Sequence, residues 1–180
     1  NVCFGEDSIY VFDQLNGLNL SKTNLPQEVY SLEMFFQFTS GSASTSGRRR
    51  ILRFKAENDA GLYLDADNRL VFQYSNSSTD TVKGVTVISE VNDTTAWMNI
   101  SITRDGNAVP PQMIVYLDGN EELRLPTSGT TELLNDFKIF EDNSGGPPTY
   151  KDESASGKID YLRFYGEALD ATLIDSLYSI

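Results

Sequence analysis

Between Val29 and Phe38 the chain alternates in character: Tyr30, Leu32, Met34, Phe36 and Phe38 fall on one side, and Ser31, Glu33 and Gln37 on the other. Successive side chains of a strand point to opposite faces, so this period of two predicts a strand half buried against a core. Shorter runs of the same kind recur at IYVF (9–12), ILRF (51–54), GLYLD (61–65), RLVFQY (69–74), VTVI (85–88), MNISIT (98–103), QMIVYLD (112–118), ELRL (122–125), FKIF (137–140) and KIDYLRFY (158–165). Turn formers separate them, as in DADN, RDGN, LDGN and NSGGPP. Ten or eleven strands at this spacing predict an all-β fold of two packed antiparallel sheets. A helical period is clear in one segment, LDATLIDSLYS, where Leu173, Ile174, Leu177 and Tyr178 form an apolar stripe and Asp170 stands where it can cap the first turn. That predicts a short C-terminal helix lying on the sandwich. Neither an internal repeat nor a linker interrupts the pattern, so residues 1–180 are expected to form a single domain.

Composition narrows the function. A chain of 180 residues, 39% hydrophobic and 22% charged, can bury roughly 70% of the surface it exposes when unfolded. Fourteen basic against twenty-six acidic side chains give a net charge of -12, which repels nucleic acid and anionic membrane and attracts cations. The one basic cluster, Arg48-Arg49-Arg50, follows the polar run GSASTSG and is expected to be a solvated loop edge. No apolar span has the length needed to cross a bilayer, so membrane insertion is not expected. Cys3 is the only cysteine and has no partner for an internal disulfide. The chain begins with Asn, as a piece excised from a larger protein would, so other domains of the same polypeptide are expected beside it. Sequons begin at Asn19, Asn76, Asn92 and Asn99, a pattern compatible with a secretory route.

The chain contains no histidine. That excludes Ser/His/Asp and Cys/His catalysis and any His-ligated zinc or iron site. A nucleophile elbow, a P-loop and a dinucleotide-binding glycine pattern are also missing from the sequence.

The closing stretch SGKIDYLRFYGEALDATLIDSLY resembles the signature of bacterial laminin-G-like domains of the concanavalin A-like superfamily, a strand of the form G-x-I-D-x-V-R-I-Y followed by a short amphipathic helix. AWMNISITRDG followed by VYLDGN is similar to that family's hairpin, in which a Trp opens one strand and a Y-x-D-G turn ends the next. With FFQF, ILRF and GLYLDADNRLVFQY in order upstream, the resemblance covers roughly residues 29 to 180. One departure is Met98, where the family often has a packing His after the Trp. The resemblance implies a jelly-roll sandwich, a secreted or cell-surface setting, and a role in adhesion or in recognising a glycan or an extracellular protein, commonly with bound calcium.

Some concanavalin A-like relatives are glycoside hydrolases whose carboxylates alternate along one strand. This sequence lacks that spacing: Glu57 and Asp59 are followed on their face by Gly61, and Asp65 and Asp67 by Arg69. Calcium is the better destination for the acidic loops, since it takes six to eight oxygens from carboxylates, amides and carbonyls. Asp59, at a position like one where laminin-G domains hold calcium, forms one candidate set, which a backbone carbonyl near Ser75 or Asn76 would complete. Asp142 and Asn143, met by a loop containing Asp152 and Glu153, form a second, and Asp160, expected to point inward with Leu162 and Phe164, a third, where an arginine or a backbone amide could serve in place of a metal and a structural hydrogen bond is the expected role. Asp65, Asp105 and Asp118 are expected to serve their hairpin turns. Tyr150, Tyr63, Tyr74 and Tyr161 are the candidates for stacking on sugar rings, whose CH-rich faces suit an aromatic plane, while Trp97 is expected to be structural. The expected protein is a non-catalytic extracellular recognition or adhesion module, stabilised by Ca2+. A purely structural module of a multidomain surface protein is the alternative, followed by a glycoside hydrolase.

Overall fold

The computed structural model describes residues 9–12, 17–21, 28–39, 47–54, 60–74, 81–88, 97–126, 136–140 and 155–179. Twelve strands and one helix lie among them: β1 (Tyr10–Phe12), β2 (Leu18–Ser21), β3 (Val29–Phe38), β4 (Arg49–Arg53), β5 (Gly61–Leu64), β6 (Leu70–Gln73), β7 (Thr81–Lys83), β8 (Met98–Asp105), β9 (Gln112–Leu117), β10 (Asn120–Pro126), β11 (Asp136–Ile139), β12 (Gly157–Tyr165) and α1 (Ala171–Tyr178). They form two six-stranded sheets, ordered β1-β12-β3-β8-β9-β10 (the front sheet) and β2-β11-β4-β5-β6-β7 (the back sheet), with antiparallel pairing throughout. The result is the expected jelly-roll sandwich.

The inward positions of both sheets meet in one core. Tyr30, Leu32, Met34, Phe36 and Phe38 from β3 pack with Ile100 and Ile102 from β8, Met113 and Val115 from β9, and Leu62, Leu64, Leu70 and Phe72 from the back sheet. Met98 is buried there too, so it packs in the place of the family's histidine. At one end Phe140 has a left-handed backbone, φ 58°, a conformation that a bulky residue adopts only when its surroundings enforce it. Its amide donates to the Ile51 carbonyl, and its ring stacks on Phe12 with centroids 4.1 Å apart, and against Phe36 at 4.8 Å.

Local chemistry explains the turns. β9 and β10 are joined by Asp118-Gly119, both with positive φ (48° and 78°), the two-residue turn whose twist matches a hairpin. Asp65 accepts the backbone amides of Asp67 and Arg69, Asp105 those of Asn107 and Ala108, and Asp118 that of Asn99, so all three serve turns as expected. Gly157, which opens the closing strand, is required by close approach: a Cβ there would lie 2.1 Å from the Gln37 carbonyl.

Four features depart from the sequence reading. VTVI (85–88) is not a strand; Val85 and Val87 are exposed, and the segment bridges the edges of the two sheets, with the Thr86 amide and hydroxyl donating to the Glu122 carboxylate. Pairing in the back sheet passes instead to β7, and β2 is a strand that the pattern did not predict. Arg49 and Arg50 are not a solvated edge but buried members of β4. Finally, β3 is covered on both faces: Ser31, Glu33 and Gln37 are each at most 3% exposed, although they are polar and point away from the core.

Candidate functional site

That buried polar face of β3 belongs to the outer surface of the front sheet, and two different structures cover its two halves. On one half lies α1. Asp170 caps it, accepting the Leu173 amide at 2.9 Å, and Ile174 and Leu169 pack on Ile114 and Tyr116 of β9. The buried stripe is narrower than its sequence suggested, because Leu173 and Tyr178 are about half exposed. Between α1 and the sheet is a cleft of about 320 Å³, bordered by Thr103, Gln112, Tyr116, Glu121, Arg124 and Asp170. Its charges answer one another: Arg124 donates through Nε and Nη2 to both Glu121 oxygens at 2.8 and 2.6 Å, and through Nη1 to Gln112 at 2.7 Å.

Over the other half no helix lies among the described residues. Strand register decides what gathers there: Tyr161 and Asn99 flank Phe35 on either side, and Arg163 and Ser101 flank Glu33. Trp97, two residues before Asn99, comes to the same face. Four planar groups therefore stand in a row. Trp97 stacks on Phe35 with centroids 5.1 Å apart, Phe35 on Tyr161 at 5.6 Å, and the Arg163 guanidinium lies 4.1 Å over the Tyr161 ring. Trp97, Phe35 and Tyr161 are half-buried, and the Arg163 side chain is 40% exposed.

Glu33 anchors the row from below, 1% exposed. Its Oε1 accepts from Tyr161 Oη at 2.9 Å and Asn99 Nδ2 at 3.2 Å, and its Oε2 from Tyr165 Oη at 3.2 Å and Arg163 Nη1 at 3.3 Å. Asn99 Nδ2 also donates to Tyr161 Oη at 2.9 Å, and Asn99 Oδ1 accepts from the Ser101 hydroxyl. A buried carboxylate with four donors is satisfied, as a buried charge must be. Burial, and then the charge of Glu33, push the Tyr161 hydroxyl well above the usual tyrosine range and raise that of Tyr165. Burial alone would lower Arg163, but Glu33 and the two tyrosines hold its pKa above the ordinary value. Asn99, the first residue of a sequon, is 2% exposed and engaged in this network, so it does not present an accessible acceptor.

Of the residues singled out in the sequence as sugar-stacking candidates, Tyr161 lies in this row. Asp59, Ser75, Asn76, Asp142, Asn143, Asp152, Glu153 and Tyr150 fall outside the described residues. Asp160 is exposed rather than inward, because pairing shifts between Ile159 and Tyr161; it is the extra residue of a bulge, which puts it out of phase with Leu162. Among the described residues no three acidic or cysteine side chains gather as a metal cluster. Tyr63 is fully buried on the back sheet, with the guanidinium of Arg48 at 4.3 Å and of Arg50 at 4.6 Å from its ring centre, so its face is closed to a sugar. Tyr74, half-buried on the same sheet, meets Phe72 edge-on at 5.0 Å. Phe35, Arg163 and Tyr165 were not singled out beside Tyr161, although two signals pointed to them: Phe35 is an aromatic residue at an outward position of β3, and Arg163 and Tyr165 alternate with Tyr161 on the off-phase of the closing strand.

Two antiparallel six-stranded sheets, a helix on one half of the front face and an aromatic row on the other define a lectin-like sandwich. The model of Laminin_G_3, in the concanavalin A-like lectin/glucanases superfamily, matches residues 12–175, and the chain belongs to that family. No curated protein matches the sequence. Among solved structures the chain is similar to the CBM40 of the Ruminococcus gnavus IT-sialidase, bound to α2,3-sialyllactose: 12% identity, 96% of this chain and 97% of that one covered, TM-score 0.65. It is also similar to the binding domain of Paraclostridial Mosquitocidal Protein 1 (11% identity, 97% and 44% covered, TM-score 0.66). A third is a structure of botulinum neurotoxin type C, whose cell entry depends on interaction with two ganglioside molecules (16% identity, 84% and 35% covered, TM-score 0.53). The chain thus spans nearly all of the first but less than half of each toxin chain. At these identities the likeness concerns the fold.

Proposed function

We propose that this domain is a non-catalytic glycan-recognition module whose site is the half of the front sheet that carries the aromatic row. The observation that carries the reading is the half-exposed row of Trp97, Phe35, Tyr161 and Arg163, fixed by the buried Glu33. Flat aromatic surface suits a pyranose face, and a platform locked by hydrogen bonds loses little entropy when a ligand settles on it. Binding without catalysis is supported by the acid supply: among the described residues Glu33 is the one carboxylate in this network, and all its lone-pair sites face donors. Glycoside hydrolysis uses a pair. The sialyllactose-bound and ganglioside-dependent neighbours support a glycan as the partner class. An extracellular setting and neighbouring domains in the same polypeptide are part of the proposal. No described helix is long and apolar enough to cross a membrane.

The test is binding to a glycan array by the native domain and by Trp97→Ala. The native domain should retain a defined set of glycans, and the variant should lose about 2 kcal/mol of affinity, roughly thirtyfold, with its melting temperature close to native. Retention of no glycan, the behaviour of a spacer, or release of reducing ends from a polysaccharide would each overturn the reading. The calcium proposal rests on the loop acids Asp59, Asp142 and Glu153 and on Asn76 and Asn143. A chelator should lower the melting temperature and millimolar calcium should restore it, because a ion bound only by the folded state stabilises it. Superimposable melting curves would remove calcium from the account.

A further inference from the structure

We infer that the glycan taken by this platform carries a carboxylate on a terminal sugar, received by Arg163. The inference rests on the glycan reading above and specifies the ligand class. The other described arginines are buried, partly buried or paired within the protein. Arg49, Arg50, Arg53 and Arg104 are buried, Arg124 holds Glu121 and Gln112, Arg48 bonds Gln73 and lies over Tyr63, and Arg69 is partly buried beside the turn at Asp65. Arg163 differs. Its side chain is 40% exposed, its Nη1 donates to Glu33 at 3.3 Å, the guanidinium also meets the Tyr165 hydroxyl, and its plane rests on the Tyr161 ring. These contacts use only part of its five N–H donors.

A guanidinium has five N–H donors in a planar fork whose spacing matches a carboxylate. Here the plane is fixed from two sides, by Glu33 at one edge and Tyr161 beneath, so the side-chain entropy that an exposed arginine loses on binding is already spent. Glu33 cannot compete for the open donors, because both its oxygens are filled by Tyr161, Asn99, Tyr165 and the one Nη1 contact. Lys158, opposite Gln37 in the register, adds a second cation along the same face beyond Tyr161. Aromatic rings for the sugar and a pre-set fork for an anion then lie side by side. The net charge of -12 selects further: a polysulfated chain meets repulsion over the whole surface, whereas a single carboxylate meets chiefly the local cation.

The experiment is calorimetry on the native domain with two acidic probes, α2,3-sialyllactose and a glucuronate-terminated oligosaccharide, each paired with its carboxyl-reduced counterpart. The native domain should bind at least one acid about tenfold or more tightly than its reduced form, the size expected for a charge-assisted pair. Arg163→Gln should erase that preference while still binding the reduced saccharide as the native domain does, and Arg163→Lys should keep part of it. Equal native affinity for the acid and reduced forms, or a preference that survives in Arg163→Gln, overturns the inference and leaves the glycan reading standing. Failure of every saccharide, acidic or neutral, to bind the native domain overturns both.

Discussion

The front sheet is one surface finished in two ways. Over β9, an apolar seam of Ile114, Tyr116, Leu169 and Ile174 seats α1, and the charges beside it close on each other as Arg124 with Glu121. Over β3 and β12, the sheet carries a buried carboxylate, three half-buried rings and an arginine with open donors. The first half spends its side chains on holding an element of the fold; the second spends them on holding each other in place. Burial of polar groups is costly unless they are paired, so a satisfied network beneath an exposed row of rings is a surface organised for something outside the chain.

The contrast yields separable predictions. Glu33→Ala should have the largest effect, since it leaves Tyr161, Tyr165, Asn99 and Arg163 without their shared acceptor. We expect a loss of about 3 to 5 kcal/mol in denaturant unfolding, together with loss of glycan binding. A variant of native stability would show that the network does not hold the platform. Ile174→Ala should cost about 2 kcal/mol or more by opening a cavity under the helix, with glycan affinity unchanged. A parallel fall in affinity would mean that the two halves are coupled. The smallest effect at neutral pH concerns Tyr161 and Tyr165, whose hydroxyls are raised by burial first and by Glu33 second. Their folded pKa values exceed the unfolded value, so their contribution is complete below about pH 10 and is lost as pH rises toward the folded values. Stability should therefore be flat near neutrality and decline above about pH 10. In Glu33→Gln the phenolate absorbance should appear at lower pH than in the native domain; coincident titrations would exclude an electrostatic role for Glu33.

Much of the sandwich could be read from alternation alone, because strands with one apolar face write their period into the sequence. The runs at 29–38, 98–103, 112–118 and 158–165 became β3, β8, β9 and β12. Departures arose where pattern and environment part. VTVI alternates, yet it lies exposed between sheet edges, and LNLS has too few apolar residues to signal β2. A period of two reports which residues face the core and not what covers the far side. Ser31, Glu33 and Gln37 therefore looked solvated, although Tyr161, Arg163, Tyr165 and Asn99 close over Glu33, and the Ser31 hydroxyl accepts the Leu169 amide and donates to the Glu167 carbonyl. The single-residue bulge at Asp160 is likewise invisible to a strict period, and it turned an expected inward acid into an exposed one. Trp97 was expected to be structural; its half-buried stack on Phe35 puts it in the candidate site. Residue type held the clue: an outward Phe35 and the off-phase Tyr161, Arg163 and Tyr165 are costly choices for a solvated face.

Trp97 is the only tryptophan in the chain, so its emission reports on the platform alone. Titration of the native domain with a saccharide shown by calorimetry to bind should shift or quench that emission along the same isotherm as the heat. Bound saccharide with unchanged Trp97 emission would place recognition elsewhere on the molecule and contradict the account.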